Sequence, residues 1–244
     1  MASIYYNELN AKYTGEQAQA NVIFIRDYLI AKGWSLNAIC GCLGNFDVET
    51  GGSFNPNTYQ DWEYRSDPIG NFGYGLPQWT PMLGRYYVNP NNGLDYSTPE
   101  GQRNYHGSNS PTFGRWCLDN GREKSEMETQ LDFLNLGLGG YSTKWWANET
   151  GETVTWSEFI TSNRSPNTLA KIFYRNYERS ESGEFGTRPS KADDWYSWLT
   201  GDAPPPDTPD TPDQPDPPQP VFKASKMSLP VFLAATRRRY NVVR

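Results

Sequence analysis

Cysteine and histidine are scarce in this chain. Its 244 residues include three cysteines, Cys40, Cys42 and Cys117, and a single histidine, His106. An odd and small number of cysteines argues against the disulfide framework of a small secreted protein. Cys40 and Cys42 are two residues apart on one predicted helix, a spacing that suits neither a disulfide nor a zinc site. We therefore expect buried thiols, no bound metal and no cofactor.

Long apolar runs are also absent. No stretch is long enough to span a membrane, so no transmembrane segment is expected. The first residues, MASIYYNELNAKYTGEQ, have neither the basic start nor the apolar run of a signal peptide. The sequence predicts a protein made in a cytoplasm without a signal peptide. If it acts outside that cell, something else must carry it there.

Basic residues are fewer than acidic ones. There are 22 Lys and Arg against 28 Asp and Glu, which gives a formal net charge of −6. Nucleic-acid binding depends on clustered cations that displace the counterions of the phosphate backbone. This balance argues against a nucleic-acid partner for residues 1–200. Aromatic residues make up 15% of the chain, a content that suits an aromatic core as well as stacking on sugar rings or exposed bases.

The stretch WSLNAICGCLGNFDVETGGSFNP, residues 34–56, predicts a helix that ends beside an acidic residue. Ser35 is a suitable N-cap, apolar residues recur at helical spacing, and a glycine pair ends the helix after Glu49. On a helical wheel Glu49 lies beside Cys42 at the edge of the apolar stripe, so its carboxyl is predicted to be partly solvated with a raised pKa. Such a group suits the general acid of a glycosidase, and the alternative is a helix-end glutamate without chemistry.

Sequence signals mark further elements along the chain. Two helices are predicted to follow capping boxes: one over about residues 15–32, after Thr14 and Gln17, and one that Ser125 and Glu128 cap and that ends at Gly137. Two more are predicted from Ser165-Pro166 through NTLAKIFYRNYER and over Ser190–Leu199. A small β-hairpin is predicted around Gly70–Tyr74 and a short helix at Thr80-Pro81, while residues 85–114 show no clear period. The pattern predicts an α+β domain, mainly helical, with a cleft next to the acidic helix end.

Proline and aspartate dominate residues 201–220, which hold five aspartates and no cation. Such a segment cannot form a core and predicts an extended, polyproline-type linker of up to roughly 60 Å. Residues 221–244 carry six cations and no acid, so they differ in charge from the rest of the chain. The predicted organisation is a domain over residues 1–200, a Pro/Asp-rich linker over 201–220 and a short basic tail over 221–244.

Several motifs occur in an order that resembles one protein family. GCLGNFDVETGGSFNP is followed by GYGLPQWT, METQLDFL and FYRNYERSESGEFGTRPSKADDWY. Together they resemble the tail-tip lysozyme domain of small tailed bacteriophages, over about residues 33–200. The resemblance implies a lysozyme-like fold that cuts peptidoglycan glycan strands during DNA injection, in a virion-associated protein at the phage tail tip.

The resemblance also implies roles for individual residues. It places the catalytic acid on Glu49, with Asn45 one turn earlier in the same pattern. The segment that lines the sugar site falls on Tyr74, Gln78 and Trp79. Gln78 would bind an acetamido group, and Tyr74 or Trp79 would stack on a sugar ring, with core packing as the alternative for Trp79.

Two further points concern charged residues. Tyr177-Glu178-Arg179 and Arg188 match the last helices of the family, where we expect a structural ion pair. No motif marks a second carboxylate. Asp67 is our choice for that role, with Asp61 and Glu63 as alternatives, because all three lie between Glu49 and the predicted hairpin.

These features predict a glycoside hydrolase of the lysozyme or muramidase type, which cleaves the β-1,4 bond between N-acetylmuramic acid and N-acetylglucosamine. Attack by the muramic acid 6-hydroxyl, as in lytic transglycosylases, is the alternative chemistry. Hydrolysis is favoured because the three candidate carboxylates are available to position water. The alternative functions are a non-catalytic tail-tip or cell-wall-binding protein with the same fold, and an endolysin for host lysis.

The basic tail over residues 221–244 is predicted to dock on another phage tail protein. It combines six cations with a short apolar run and is too small to fold alone. Attraction to anionic wall polymers or to a membrane surface is one alternative, and a solvated tail that binds nothing is another.

Overall fold

A computed structural model describes residues 4–63, 73–79, 113–137, 154–178 and 184–205. Within these ranges the helices are α1 (Gly15–Ala31), α2 (Leu36–Glu49), α3 (Phe113–Asn120), α4 (Met127–Asn135), α5 (Trp156–Thr161), α6 (Pro166–Phe173) and α7 (Arg188–Thr200). A 3₁₀ turn spans Gln60–Trp62, and a π-helical segment, Tyr174–Glu178, continues α6. The described residues are mostly helical, as predicted.

Helix α2 is buried around its whole circumference. Every residue from Ala38 to Asp47 is buried, so the helix has no solvent-facing side before its last turn. It packs chiefly against α6 and α7, with further contacts to α1 and α5. Since these helices cover its middle, only the two ends of α2 come near the surface, and Glu49 lies at the C-terminal one.

Two glycines let neighbouring helices approach α2 closely. A Cβ atom at Gly41 would lie 2.8 Å from the Cβ of Leu169 in α6. A Cβ atom at Gly44 would overlap the backbone oxygen of Arg188 and lie 2.8 Å from the backbone nitrogen of Ala192, both in α7. The missing side chain at Gly44 therefore allows the first turn of α7, and Arg188 with it, to pack against α2.

The ends of α2 follow the predicted signals. The Ser35 Oγ accepts a hydrogen bond from the Ala38 backbone N–H at 3.1 Å, so the predicted N-cap is confirmed. Gly51 and Gly52 have φ angles of 58° and 77°, a left-handed conformation that stops the helix. Glu49 is thus fixed as the last residue of the helix.

Two predicted capping boxes are wrong, although the helices that they were expected to start are present. Thr14 precedes α1, but its side chain makes no capping hydrogen bond. Helix α4 begins at Met127, and the side chain of its N-cap residue, Glu126, makes no capping hydrogen bond either. A complete capping box instead starts α5, where Thr155 and Glu158 exchange both hydrogen bonds. Helices α3 and α5 were not predicted, because α3 follows a long aperiodic stretch and α5 has only six residues.

The predicted β-hairpin lies partly outside the described residues. Tyr74 forms an isolated antiparallel bridge with Tyr59. Tyr74 and Trp79 also exchange backbone hydrogen bonds of 3.2 and 2.9 Å across a turn. The hairpin itself stays a prediction, and the short helix predicted at Thr80-Pro81 falls outside the described residues.

Aromatic rings fill much of the core around α2. Phe173 stacks on Tyr177 with ring centroids 4.6 Å apart, and Phe46 meets Phe173 edge-on at 5.9 Å. The three cysteines are free and buried, as predicted. Burial raises the pKa of the Cys117 thiol to about 12, so it is not a reactive thiolate at neutral pH.

The chain divides into two units, Met1–Asp210 and Thr211–Arg244. All described residues belong to the first unit. The predicted boundaries at residues 200 and 220, the linker and the basic tail therefore stay predictions. Among the described residues, no helix combines the length and the apolar character needed to cross a membrane.

Candidate active site

Glu49 emerges where the buried helix α2 ends. Its side chain keeps 23% of its surface exposed. Burial raises the pKa of the Glu49 carboxyl above its ordinary value of 4.5, against an opposing effect of Arg188. The partial exposure and the raised pKa predicted from the sequence are both confirmed.

Arg188 connects Glu49 to a second carboxylate, that of Glu178. Its Nη2 donates a short hydrogen bond to Oε1 of Glu49. Its Nε lies 3.5 Å from Oε2 of Glu178, and the guanidinium carbon lies 4.5 Å from the ring centroid of Tyr174. The expected contact between Glu178 and Arg188 is present at ion-pair distance, while Arg179 lies outside the described residues. Through Arg188 this contact extends to the predicted catalytic acid.

The second carboxylate is more deeply buried than the first. Only 9% of the Glu178 side chain is exposed, and its Oε1 has no hydrogen-bond partner among the described residues. Burial raises the pKa of Glu178 well above 4.5, and the nearby charge of Glu49 raises it further, while Arg188 opposes both effects. Because one guanidinium balances one carboxylate, simultaneous ionisation of both acids is disfavoured.

Two aromatic residues expected at the sugar site are buried. Trp79 is 3% exposed, stacks on Phe113 with centroids 4.3 Å apart, and donates from Nε1 to the Tyr177 hydroxyl at 2.9 Å. Tyr74 is fully buried, and its hydroxyl donates to Oδ1 of Asn57 at 2.9 Å. Both rings pack in the core here, and sugar stacking by either ring stays a prediction.

Gln78 and Asn45 also make contacts within the protein. The Gln78 amide donates to the carbonyl oxygens of Thr58 at 3.2 Å and Gly75 at 2.8 Å, which holds the turn before Trp79 together. The buried Asn45 amide donates to the Ala170 carbonyl at 3.1 Å and so joins α2 to α6. Their roles in substrate binding stay predictions.

Of the three carboxylates predicted as partners of Glu49, the structure describes two. Asp67 lies outside the described residues, whereas Asp61 and Glu63 are exposed, at and just after the 3₁₀ turn. The sequence predicts Glu178 in a structural ion pair but does not reveal its link to Glu49. No local spacing joins the two, since they belong to elements far apart in the chain; the only signal was the pairing with Arg188.

A strained turn lies beside the end of α2. Asp61 and Trp62 have left-handed φ angles of 59° and 58°, which cost non-glycine residues on the order of 1 kcal/mol or more each. The Asn10 amide holds the turn by donating to the Trp62 carbonyl at 3.1 Å. The half-buried Trp62 ring reaches Gly51, where a Cβ atom would lie 3.3 Å from the ring. The turn thus places an aromatic ring next to the loop that follows Glu49.

Comparison with known proteins identifies the family of this chain. Residues 20–199 match the family described as phage tail lysozyme. Morphogenesis protein 1 of Bacillus phage B103 is similar, with 29% identity over 198 residues, which cover 81% of this chain and 44% of that protein. The chain therefore spans less than half of this relative's length. Since the family match covers most of the chain, the chain belongs to the phage tail lysozyme family.

Proposed function

We propose that this protein is a virion-associated peptidoglycan hydrolase that cleaves the β-1,4 bond between N-acetylmuramic acid and N-acetylglucosamine. The observation that carries the proposal is Glu49, a partly exposed carboxyl with a raised pKa at the end of a buried helix. A carboxyl that keeps its proton can deliver it to the leaving glycosidic oxygen. The family match supports the same chemistry.

In this proposal Glu49 is the general acid. The bond between the anomeric carbon and the glycosidic oxygen breaks, the oxygen takes the proton from Glu49, and positive charge develops on the remaining sugar. Water then adds to the anomeric carbon and loses a proton to a carboxylate. Asp67, Asp61 and Glu63 stay the candidates for positioning this water, since Glu178 is too buried to touch a sugar.

The surface beside Glu49 offers a contact for the glycan. Val48 is exposed, and the half-buried Trp62 ring lies against the loop at Gly51. An aromatic ring can stack on the apolar face of a sugar while the hydroxyl groups at the edge of the sugar form polar contacts. We therefore assign Trp62 to glycan binding. Of the contacts predicted from the sequence, Gln78 is half-buried, whereas Tyr74, Trp79 and Asn45 are buried here and would have to become exposed to touch a sugar.

The setting in the phage particle is part of the proposal. The phage tail lysozyme match and the similarity to a phage morphogenesis protein support a protein that is built into the virion. From the tail tip it would open the cell wall during DNA injection. Co-purification with intact virions is the expected result, whereas recovery only from the soluble lysate would favour an endolysin.

We also propose that residues 221–244 bind another phage tail protein. The segment has six cations and an apolar run that supplies the anchors Leu229, Val231, Phe232 and Leu233. The cations at Arg237–Arg239 would meet acidic groups of the partner. Deletion of residues 221–244 should leave glycan cleavage by the purified protein nearly intact and remove the protein from assembled particles. Normal incorporation of the shortened chain would contradict this role.

Turnover on purified cell wall tests the proposed activity. The protein should clear peptidoglycan in a zymogram and release new reducing ends well beyond one per protein molecule. A structural plug or wall-binding protein with the same fold would pellet with the wall and release no soluble glycan. That second result would contradict the proposed function.

A further inference from the structure

We propose that Glu49 and Glu178 share one proton across Arg188, and that Glu178 is a positioning residue which takes Arg188 from Glu49 when glycan binds. The inference rests on the proposed function, in which Glu49 must be protonated as it meets the glycosidic oxygen. The contact with Arg188 opposes that requirement, since a guanidinium stabilises the ionised carboxylate. A second acceptor for Arg188 removes the conflict.

The geometry provides that acceptor. Arg188 donates to Glu49 through Nη2, while its Nε, 3.5 Å from Oε2 of Glu178, makes no hydrogen bond among the described residues. The Oε1 of Glu178 is likewise without a hydrogen-bond partner in the part of the chain that the structure describes. A guanidinium has five N–H donors in a planar fork and can bind both oxygens of one carboxylate. Glu178 therefore offers unused acceptor capacity beside an unused donor.

The charges of the cluster balance when it holds one proton. The three side chains are 9%, 13% and 23% exposed, so their charges are poorly solvated. With both carboxylates ionised, the cluster has one uncompensated negative charge, which is costly in such surroundings. With one proton, Arg188 pairs with the ionised acid and the other acid is neutral. Because Arg188 contacts Glu49 here, the proton belongs on Glu178.

Neighbouring groups leave this balance unchanged. The Cys42 thiol and the Tyr177 hydroxyl are fully buried, and burial raises the pKa of each well above its ordinary value, so both are neutral. The Tyr174 ring covers the guanidinium. Asp47 on α2 pairs with Lys191 on α7 at 3.5 Å, so these two charges offset each other.

Glycan binding would favour the alternative arrangement. A sugar over Glu49 removes water from its carboxyl and makes its ionised form more costly, while Glu178 is buried in either arrangement. Arg188 then pairs with Glu178, which releases its proton to water, and Glu49 takes up one proton from water. The net charge of the cluster stays the same, and Glu49 becomes the acid that the cleavage step needs.

The pH dependence of kcat/KM for two variants tests the proposal with opposite signs. In Glu178→Gln, Arg188 has only Glu49 to pair with, so the pKa of Glu49 falls. The alkaline limb of the kcat/KM profile should then move to lower pH by about one unit or more. In Arg188→Met, two carboxylates lose their cation, so the limb should move up by a similar amount. Asp132→Asn breaks an ion pair with Arg122 elsewhere in the chain and should leave the limb in place. Unshifted limbs, or shifts in the same direction, would overturn the proposal.

Carboxyl ¹³C NMR makes the test independent of turnover. In full-length Glu49→Gln, the Glu178 carboxyl should titrate at lower pH than in the wild type, because Arg188 then serves it alone. In Glu178→Gln, Glu49 should show the reciprocal fall. Reciprocal shifts in a protein that cleaves no glycan would uphold proton sharing and refute the proposed function. Unchanged midpoints would refute proton sharing even in an active enzyme, and either variant decides this if the other fails to fold.

Discussion

Arg188 contacts Glu49 although 139 residues separate them in the sequence. The contact depends on the packing of α7 against α2, since a side chain at Gly44 would meet the backbone of Arg188. The acid at the end of α2 is therefore held by a residue from the last described helix. Packing between these two helices links the core to the chemistry proposed for the site.

Gly44→Ala tests that link. The added Cβ would overlap the Arg188 carbonyl oxygen and lie 2.8 Å from the Ala192 nitrogen, so α7 must move away from α2. We expect the free energy of unfolding to fall by about 1–3 kcal/mol, as in other overpacked cores. Cell-wall hydrolysis should fall further than the unfolded fraction explains. The control is Gln17→Ala, an exposed substitution in α1, measured by thermal unfolding and activity. Wild-type stability and activity in Gly44→Ala would show that Gly44 does not control the approach of α7 to α2.

The pH dependence of stability should show the buried acid pair. Burial raises the pKa of Glu49 and of Glu178 above 4.5, so above that pH the folded state binds more protons than the unfolded state. This contribution to stability is complete below the unfolded pKa and is lost as pH rises through the folded pKa. As the pH rises through this window, the free energy of unfolding measured with urea should fall more for the wild type than for Glu178→Gln. A difference that is constant or grows in favour of wild type would count against the raised pKa values.

Trp62→Ala tests the proposed glycan contact. Loss of the ring should raise KM by about tenfold with little change in kcat, because the ring contributes binding and no chemistry. Trp62→Phe keeps an aromatic ring and should keep most of the affinity. Thermal unfolding of both variants controls for the strained turn that Asn10 holds. An unchanged KM for a folded Trp62→Ala protein would remove Trp62 from the binding site.

The products of glycan cleavage distinguish hydrolysis from transglycosylation. With Asp67, Asp61 and Glu63 available to position water, we expect reducing-end N-acetylmuramic acid as the main product. Attack by the 6-hydroxyl would instead give a 1,6-anhydro sugar that is lighter by one water. Mass spectrometry of digested glycan separates the two, and a predominance of the anhydro product would show that the enzyme is a lytic transglycosylase.

Local sequence signals were sufficient for the helix that carries Glu49. The Ser35 cap, the helical spacing of apolar residues and the glycines after Glu49 each act within a few residues, so the sequence displays them directly. The capping hydrogen bond predicted at Thr14 is absent, although α1 begins at the next residue. The motif therefore marks where the helix begins without fixing the side-chain hydrogen bond.

Long-range relationships were not visible in the same way. The link between Glu49 and Arg188 arises from packing at Gly44, and a single sequence carries no signal for that approach. The GYGLPQWT motif identified an aromatic segment but not which side of it meets the core. In the structure Trp79 stacks on Phe113 in the interior. The half-buried Trp62 lies next to the end of α2, and no sequence motif marks that position.

Cell-wall hydrolysis by Glu49→Gln tests the central claim most directly. The amide has nearly the shape of the acid but no acidic proton, and general acid catalysis contributes about 10²–10⁴-fold to rate. Glu16→Gln, an exposed change in the first turn of α1, is the matched control and should keep wild-type activity. We predict that folded Glu49→Gln loses activity by about a hundredfold or more. A folded Glu49→Gln protein that retains more than a tenth of wild-type activity would contradict the assignment of Glu49 as the catalytic acid.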